Sequence, residues 1–255
     1  MIEKIASHRF LFEELVHRDF IKKYKRTVLG VFWSVLGPLA TLGVMALVFS
    51  QFFGREMNHY VIYLFCGNLL FGYYRESTTS CMTSIYENAS IFSKVNVPKY
   101  MFLLSKSVVA LINFLINLVL LFVFCLIDGI SFSWAFFLLI YPTICLIIFN
   151  LGMGFILSSV YIMFRDLQYL YSIFTQLLMY LSVIFYSLSV FPEDVQKLFY
   201  LNPIYVYISY FRSIIIDGII PGLEVHLLAA GYAITVLVIG ILIYKMRNNK
   251  FLYYI

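Results

Sequence analysis

Long stretches without any charged residue constrain the fold of this chain more than any other feature of its sequence. The clearest one extends from Leu29 to Phe53 and contains no Asp, Glu, Lys or Arg. A helix needs about 20 apolar residues to cross a bilayer core of about 30 Å. Water is a poor solvent for such a chain, since 62% of its 255 residues are hydrophobic and only 12% are charged. The sequence therefore predicts an all-α integral membrane protein with a single domain over residues 1–255.

Six transmembrane helices are predicted from these runs. They are Leu29–Phe53, Tyr60–Tyr74, Ser107–Ile127, Trp134–Phe164, Leu167–Phe191 and His226–Tyr244. The second is short, and we expect Arg75 to extend to the interface and so lengthen it. The fourth is longer than one span needs and contains Pro142, which predicts a bend. Asn113 and Asn117 share one face of the third span because they lie one helical turn apart.

Residues 192–222, between the fifth and sixth spans, are interrupted by prolines and charges. The apolar part, Ile204–Ile220, lies between Pro203 and Pro221 and is either a seventh span or a re-entrant pair of half-helices. Basic residues in short loops stay on the cytoplasmic side. Six spans with both termini in the cytoplasm place 15 of the 18 Lys and Arg residues inside and 3 outside. A seventh span would move the basic C-terminal residues outside, so we expect an outer re-entrant helical segment.

The first 28 residues mix basic residues with large apolar ones, which is typical of a helix that lies in the membrane interface and contacts lipid. We expect residues 1–28 to form such an interfacial helix on the cytoplasmic side. Two charged residues, Asp19 and Lys23, fall within its apolar arc and depart from the pattern. The side chains expected to hold this helix at the interface are Phe20, Tyr24 and Arg26.

Residue patterns that carry enzyme chemistry are missing from the sequence. There is no GxxxxGKS/T loop for a nucleotide, the four histidines are isolated, and no span has a carboxylate at its centre. Glu76 and Asp166 lie beside Arg75 and Arg165 at span ends, where local ion pairs are expected more than a proton relay. The four cysteines are expected to be packing residues. The sequence therefore predicts no enzyme activity, no catalytic, cofactor-binding or metal site, and no nucleic-acid partner.

The segment Arg18–Leu39, which reads RDFIKKYKRTVLGVFWSVLGPL, resembles the start of the first span in ABC-2 type permeases that export polysaccharides. Permeases of this family serve O-antigen, capsule and teichoic acid export. Further matches are Val97 and Pro98, Tyr161–Asp166, and Asn202 and Pro203 with Arg212. Their order and spacing agree over nearly the whole chain. The sequence departs from the family pattern at Lys23 and Phe32, where an arginine and a leucine-like residue are expected.

This resemblance implies a homodimer in the cytoplasmic (inner) membrane that works with two cytoplasmic ABC ATPase subunits, which would hold the ATP and Mg²⁺. The implied cargo is a lipid-linked polysaccharide. A coupling helix between the second and third spans, over residues 84–95, is implied to dock on the ATPase; an ordinary cytoplasmic loop is the alternative. The candidate docking residues are Glu87, Asn88, Ile91 and Phe92.

A channel between the two copies is also implied, lined by the first and fifth spans and capped outside by residues 192–222. The candidate path residues are Trp33, Gln176, Tyr180 and Tyr186, and the candidate outer-gate residues are Pro192, Asn202, Pro203 and Arg212. Tyr180 lies within a span, where either contact with sugar or packing against a helix explains it. Arg212 either meets an anionic pyrophosphate or sugar or pairs with Asp217 or Glu224.

Tyrosines are concentrated near these candidate residues, since 9 of the 21 lie between Tyr161 and Tyr210. Tyrosine rings stack on sugars, and their hydroxyls bond to sugar hydroxyls. An interfacial aromatic belt explains Tyr200, Tyr205 and Tyr207 equally well, and also Tyr210. Two functions remain open beside polysaccharide export: export of a drug or small lipid by the same type of permease, and modification of a glycan by a membrane-embedded enzyme.

Overall fold

Helices account for all the regular secondary structure in the part of the chain that this computed structural model describes. It describes residues 2–25, 27–53, 58–94, 97–248 and 251, and no strand occurs among them. The α-helices are α1 (Ile2–Tyr24), α2 (Trp33–Phe53), α3 (Tyr60–Glu87), α4 (Ala89–Phe92), α5 (Tyr100–Ile127), α6 (Ile140–Tyr161), α7 (Leu167–Leu181), α8 (Glu193–Phe199), α9 (Pro203–Ile215) and α10 (Leu223–Arg247). Turns of 3-10 helix at Gly30–Phe32 and Trp134–Leu139 lead into α2 and α6, and a third at Leu188–Val190 follows α7.

Several helices are suited to cross a membrane by length and composition. The four stretches that are long and apolar enough are Gly30–Phe52, Tyr100–Ile127, Trp134–Tyr161 and Leu223–Arg247. Their outward surfaces carry large apolar side chains such as Leu47, which is 76% exposed, and Leu242. Such surfaces are stable against lipid and not against water. The chain is therefore a multi-pass helical membrane protein, and these stretches correspond to the first, third, fourth and sixth predicted spans.

The second predicted span belongs to a helix that is longer than the sequence suggested. α3 does not end near Tyr74 but continues to Glu87, a length of about 42 Å at 1.5 Å per residue. Its second half stays helical because the polar side chains of Ser77, Thr78 and Ser84 are buried against other parts of the protein. The hydroxyl of Thr78 donates a hydrogen bond to the carbonyl of Tyr74 at 2.7 Å. Polar residues on the buried face thus conceal the length of α3 from a hydropathy argument.

The predicted end of the fifth span at Phe191 is wrong, because α7 stops at Leu181. At 1.5 Å per residue α7 is about 22 Å long, which is less than a bilayer core. The backbone then turns at Val183, whose φ of 53° lies in the left-handed region. The carbonyls of Val183 and Ile184 accept hydrogen bonds from the guanidinium of Arg212. Non-helical backbone at membrane depth is tolerated when the protein satisfies its polar groups in this way.

Close backbone packing joins α6 to α10. A Cβ placed on Gly152 would lie 2.6 Å from the backbone nitrogen of Leu237, and one placed on Gly240 would overlap the carbonyl of Gly152. The two helices approach this closely because neither glycine has a side chain. α6 and α9 also contact α3, which lies at the centre of the fold and touches α2, α5 and α7 as well.

Residues 192–222 contain two short helices, α8 and α9. At 1.5 Å per residue α9 is about 20 Å long, which is shorter than a bilayer core. Tyr205, Tyr207 and Tyr210 are buried in the protein interior. The hydroxyl of Tyr207 donates to the carbonyl of Ala229 at 2.9 Å, and that of Tyr210 bonds to the ring of His226 at 2.7 Å. For these three tyrosines both interpretations, an aromatic belt and a sugar path, are wrong, because they pack inside the protein.

Candidate transport cavity and coupling region

A cavity of about 990 Å³, lined by both polar and apolar side chains, lies between α2, α3, α5 and α7. Its polar lining includes Asn68, Thr79 and Ser80 of α3, Asn113 of α5, and Ser172 and Gln176 of α7. These residues line a recess of a protein whose outer surface is largely apolar. Polar groups at membrane depth commonly mark the path of a polar substrate. The cavity is therefore the candidate transport site of this chain.

α2 and α7 contribute different faces to the cavity and to the outside of the protein. Gly37, Pro38 and Thr41 of α2 line the cavity, whereas the large apolar side chain of Val44 is exposed. α7 lines the cavity with Gln168, Ser172, Thr175 and Gln176, and it exposes Tyr169, Ile173, Leu177 and other large side chains. Both helices predicted to line a channel thus present a face of small or polar side chains to the cavity, and each has a broad apolar outer face.

The path residues predicted from the sequence lie in different places. Gln176 lines the cavity. Trp33 is exposed at the start of α2, Tyr180 is 53% exposed near the end of α7, and neither lines the cavity. Tyr186 lies outside it too, where its hydroxyl donates to the carbonyl of Tyr180 at 2.8 Å. The cavity instead brings Gln176 together with residues of α3 and α5, and the shared face of the α5 asparagines was the sequence signal for it.

A ring of hydrogen bonds joins the last turn of α1 to the cavity wall. The ammonium of Lys23 lies 2.6 Å from a carboxylate oxygen of Glu76, which also accepts a hydrogen bond from the amide of Asn113 at 2.7 Å. The hydroxyl of Tyr24 donates to the other end of that amide at 2.7 Å, so the ring returns to α1. The predicted ion pair between Glu76 and Arg75 is wrong, because Lys23 and Asn113 bind the Glu76 carboxylate instead.

A buried carboxylate fixes α1 one turn earlier. Asp19 is buried, and it accepts hydrogen bonds from Arg18 at 2.7 Å and from the hydroxyl of Ser105 at 3.0 Å. Leu15 packs on the same side of α1 in a small apolar cluster with Phe102. The two charged residues that departed from the amphipathic pattern therefore face protein partners. Phe20 stacks edge-on against Tyr24, and Arg26 lies outside the described residues.

The predicted coupling segment consists of the end of α3, α4 and the residues that follow. Asn88 is 4% exposed; its amide donates to the carbonyl of Ser84 at 2.7 Å and accepts from Arg18 at 2.8 Å. Phe92 is 8% exposed and lies against Phe102. The prediction that Asn88 and Phe92 belong to a docking face is therefore wrong, since both side chains point inward. Ile91 is half-buried, the exposed residues of the segment are Glu87, Ser90, Ser93 and Lys94, and Val95 lies outside the described residues.

Two charged residues, Glu87 in this segment and Lys99 just after it, bind neighbouring parts of the protein. Glu87 accepts hydrogen bonds from the Thr83 hydroxyl at 2.7 Å and from the Lys106 ammonium at 3.1 Å. Partial burial acts to raise the pKa of the Glu87 carboxyl, but the Thr83 hydrogen bond and the charge of Lys106 outweigh it and hold that pKa below its usual range. Lys99 donates to the carbonyl of Asn248 at 2.9 Å, and burial lowers the pKa of its ammonium. Glu87 therefore connects the segment to α5, and Lys99 connects the start of α5 to Asn248 after α10.

Arg165 connects the start of α7 to the end of α3. Its guanidinium carbon lies 4.5 Å from the centre of the Tyr86 ring, a cation–π geometry. In the described part of the chain it forms no ion pair with Asp166. The predicted local pair is wrong here as well, because an aromatic face is available where the adjacent carboxylate is not.

Arg212 has a structural environment and not that of a substrate site. It is 6% exposed and donates hydrogen bonds to the carbonyls of Tyr63, Val183 and Ile184 at 2.7 to 3.1 Å. Its guanidinium also covers the ring of Tyr63. Asp217 is exposed and makes no ion pair with it in the part of the chain described. Both interpretations of Arg212, contact with an anionic substrate and pairing with a neighbouring carboxylate, are therefore wrong.

The other outer-gate candidates surround the same end of α7. The side chain of Asn202 accepts a hydrogen bond from the backbone nitrogen of Ile204 at 3.0 Å and caps α9, which begins at Pro203. Its amide also donates to the carbonyl of Leu181 at 3.1 Å. Pro192 is exposed just before α8. Asn202, Pro203 and Arg212 thus meet where α7 ends, and a role as a gate stays a prediction.

Nothing in the described ranges resembles a metal centre. No group of three or more His, Cys, Asp or Glu side chains there is close enough to hold an ion. The four cysteines are free and buried, and they are Cys66, Cys81, Cys125 and Cys145. They serve as small packing residues of the interior.

Comparison with known proteins gives consistent matches over nearly the full length. Residues 11–216 match the sequence profile of the family described as ABC-2 type transporter. The chain is 25% identical over 250 residues to the O-antigen export system permease protein RfbA of Klebsiella pneumoniae, covering 95% of both chains. It is 24% identical over 255 residues to the protein of the same name from Myxococcus xanthus, covering 98% of this chain and 97% of that one. It is 23% identical over 244 residues to the polysialic acid transport protein KpsM of Escherichia coli, covering 94% of both.

Proposed function

This chain belongs to the ABC-2 type transporter family, and from that premise we propose that it is the permease subunit of an ATP-driven exporter of lipid-linked polysaccharide. The observation that carries the proposal is the cavity of about 990 Å³, with uncharged polar side chains in its lining, within a helical protein whose outer surface is largely apolar. The relatives named for O-antigen export and polysialic acid transport support polysaccharide as the class of cargo. Neutral hydroxyl and amide side chains in the cavity, such as Thr79, Ser172 and Gln176, are suited to bind sugar hydroxyls.

The proposed working unit is a homodimer with the channel between its two copies. α2 and α7 of one chain line only one side of a path, and their apolar outer faces are broad enough to meet the same faces of a second copy. A two-fold arrangement would join the two cavities into one conduit. Residues 192–222, with the short helices α8 and α9, would form a re-entrant segment that caps this conduit on the outer side. With this segment re-entrant, the chain spans the membrane six times.

Energy is proposed to come from two separate ABC ATPase subunits that hold ATP and Mg²⁺ in the cytoplasm. The basic N-terminal helix, the segment 84–95 and the C-terminus would lie on that side, in agreement with the positive-inside rule. The exposed residues at the end of α3 and around α4, among them Glu87, Ser90 and Lys94, would dock on the ATPase. The hydrogen bond between Asn88 and Arg18 would transmit movement of this segment to α1.

Deletion of the gene tests the function. Glycan and lipid carrier in the cytoplasmic leaflet and at the cell surface are compared between the deletion strain and a complemented strain. We expect lipid-linked polymer to accumulate inside and to disappear from the surface, and we expect the ATPase to co-purify with the tagged chain. Normal surface polymer in the deletion strain contradicts the proposal. Unchanged glycan combined with accumulation of a small lipid or drug would identify a different cargo for the same type of permease.

A further inference from the structure

Charge is unevenly distributed in the cavity between α2, α3, α5 and α7. Of the residues that line it, Lys23, Arg75 and Glu76 carry charge and the others are neutral. Lys23 is already paired with Glu76, whose carboxylate also accepts a hydrogen bond from Asn113. Arg75 is exposed to the cavity and forms no ion pair or side-chain hydrogen bond with any residue of the described ranges. The cavity therefore contains one positive charge that its own walls do not neutralise.

The position of this charge indicates the kind of anion that it suits. Arg75 lies beside the last turn of α1, because its neighbour Glu76 contacts Lys23 there. Farther along α3 and α7 the polar lining is neutral, as at Asn68 and Gln176. A polymer with a negative charge on every repeat would meet cations along the whole path if the cavity were built for its charges. One cationic position suits a cargo with one anionic group.

We propose that Arg75 and Lys23 form a binding site for the phosphate that joins lipid to sugar in a lipid-linked glycan. The inference rests on the proposed function, because it assumes a cargo of that class. A guanidinium presents two parallel N–H donors to phosphate oxygens, and an ammonium adds a compact positive charge.

Glu76 acts as an internal competitor for this phosphate. In the structure its carboxylate binds the ammonium of Lys23 at 2.6 Å and so occupies one of the two cations. An incoming phosphate displaces it from Lys23. This opens the hydrogen-bonded ring that joins α1 to α3 and α5, and α1 also carries Arg18, which contacts Asn88 in the coupling segment. Arrival of the cargo is thereby linked to the region proposed to meet the ATPase.

Titration with a short prenyl diphosphate tests the site. The purified full-length chain in phosphatidylcholine nanodiscs is titrated with geranylgeranyl diphosphate and, separately, with geranylgeraniol, which lacks the phosphates. We expect saturable binding of the diphosphate only. Arg75→Gln should weaken it at least about tenfold, Arg75→Lys should retain part of it, and the exposed control Lys245→Gln should leave it unchanged. Glu76→Gln should tighten binding several-fold because the competing negative charge is lost.

Nanodiscs that also contain phosphatidylglycerol separate the cargo from ordinary lipid as the source of the phosphate. If phosphatidylglycerol displaces the diphosphate completely, the site binds bilayer headgroups and the proposal is overturned. Equal binding of the alcohol, equal affinity of Arg75→Gln and the wild type, or weaker binding by Glu76→Gln would also overturn it. These failures leave the export function standing, since that function depends on the glycan trapped in a deletion strain. A deletion strain that traps no glycan removes the export function whatever the titration shows.

Discussion

Two arginines of this protein stand in opposite physical situations. Arg212, beneath the end of α7, is buried and gives its donors to the carbonyls of three residues. Arg75, in the wall of the cavity, is exposed and has no partner in the part of the chain described. A buried charge is retained when hydrogen bonds compensate its lost hydration. An arginine whose hydrogen bonds are all made within the protein therefore stabilises the fold, whereas an arginine without a partner at a cavity wall is available to bind a ligand.

Replacing these two arginines should change the free energy of unfolding by very different amounts. Arg212→Met removes the guanidinium donors to the carbonyls of Tyr63, Val183 and Ile184, and it should lower the free energy of unfolding by roughly 3 kcal/mol or more. Arg75→Met should leave stability unchanged within about 0.5 kcal/mol, because it breaks no contact in the described chain. The measurement is the unfolding midpoint in one detergent. Lys197→Met, at an exposed site on α8, is the control for loss of a surface charge.

Equal unfolding midpoints for Arg212→Met and Arg75→Met would show that the two arginines do not differ in their contribution to stability. The unwound backbone after α7 would then be held by contacts other than the guanidinium. Arg212→Lys sharpens the result, since one ammonium keeps the charge but cannot reproduce the planar fork that reaches several carbonyls. We expect its stability to lie between those of the wild type and Arg212→Met.

Two helical glycines extend the same contrast to packing. Gly152→Ala should lower the free energy of unfolding by about 2 kcal/mol, because the new Cβ would lie 2.6 Å from the backbone of Leu237. Gly37→Ala is the matched control, since a Cβ there has nothing within 4 Å and alanine favours a helix. Thermal unfolding monitored by circular dichroism measures both variants. A midpoint for Gly152→Ala equal to that of Gly37→Ala would show that α6 and α10 are free to separate.

A smaller effect is expected where α1 closes the ring at the cavity wall. Tyr24→Phe removes the donor to Asn113 and should weaken the attachment of α1 by about 1 kcal/mol. Hydrogen exchange of α1 amides, measured by mass spectrometry, should increase, while exchange in α6 stays the same. Tyr169→Phe, at an exposed position on α7, is the control. Unchanged exchange in Tyr24→Phe would mean that Asp19 and the apolar contacts of Leu15 hold α1 without the ring.

The sequence identified the spans whose position depends on one quantity, the free-energy cost of placing charge in lipid. The stretches that became α2, α5, α6 and α10 contain so few charged residues that placing them in lipid costs little charge desolvation, whereas water solvates them poorly. The end of α7 depends instead on hydrogen bonds from side chains that are distant in the sequence. Residues 182–191 are as apolar as the helix before them, and their carbonyls need no helical partner because distant side chains bind them. Arg212 donates to the carbonyls of Val183 and Ile184, and the hydroxyls of Tyr60 and Tyr63 donate to those of Phe185 and Tyr186. No local pattern contains that information.

The cavity was visible in the sequence only through departures from simple patterns. Asp19 and Lys23 interrupt the apolar arc of α1 because they face Ser105 and Glu76 of the protein and not lipid. Arg75 and Glu76 suggested a pair because they are adjacent. Glu76 pairs instead with Lys23 of α1, and Arg75 lines the cavity without a partner among the described residues. Such departures could be recognised as contacts only after the partner helices were placed beside them.

Replacing Glu87 should have the smallest effect on stability, because its carboxylate is partly solvated and water screens its contacts with Thr83 and Lys106. Its carboxyl has a pKa below the usual range, owing to Thr83 and Lys106, so its ionised form stabilises the folded protein. That contribution is complete above the ordinary pKa of a glutamate and is lost as the pH falls through the lowered value. Since the side chain is 40% exposed, screening limits it to less than about 1 kcal/mol. Glu87→Gln should therefore unfold earlier than the wild type near neutral pH, and the difference should vanish in acid, whereas exposed Glu224→Gln should show neither change. A difference that persists unchanged in acid would show that the ionised carboxylate of Glu87 contributes nothing to stability.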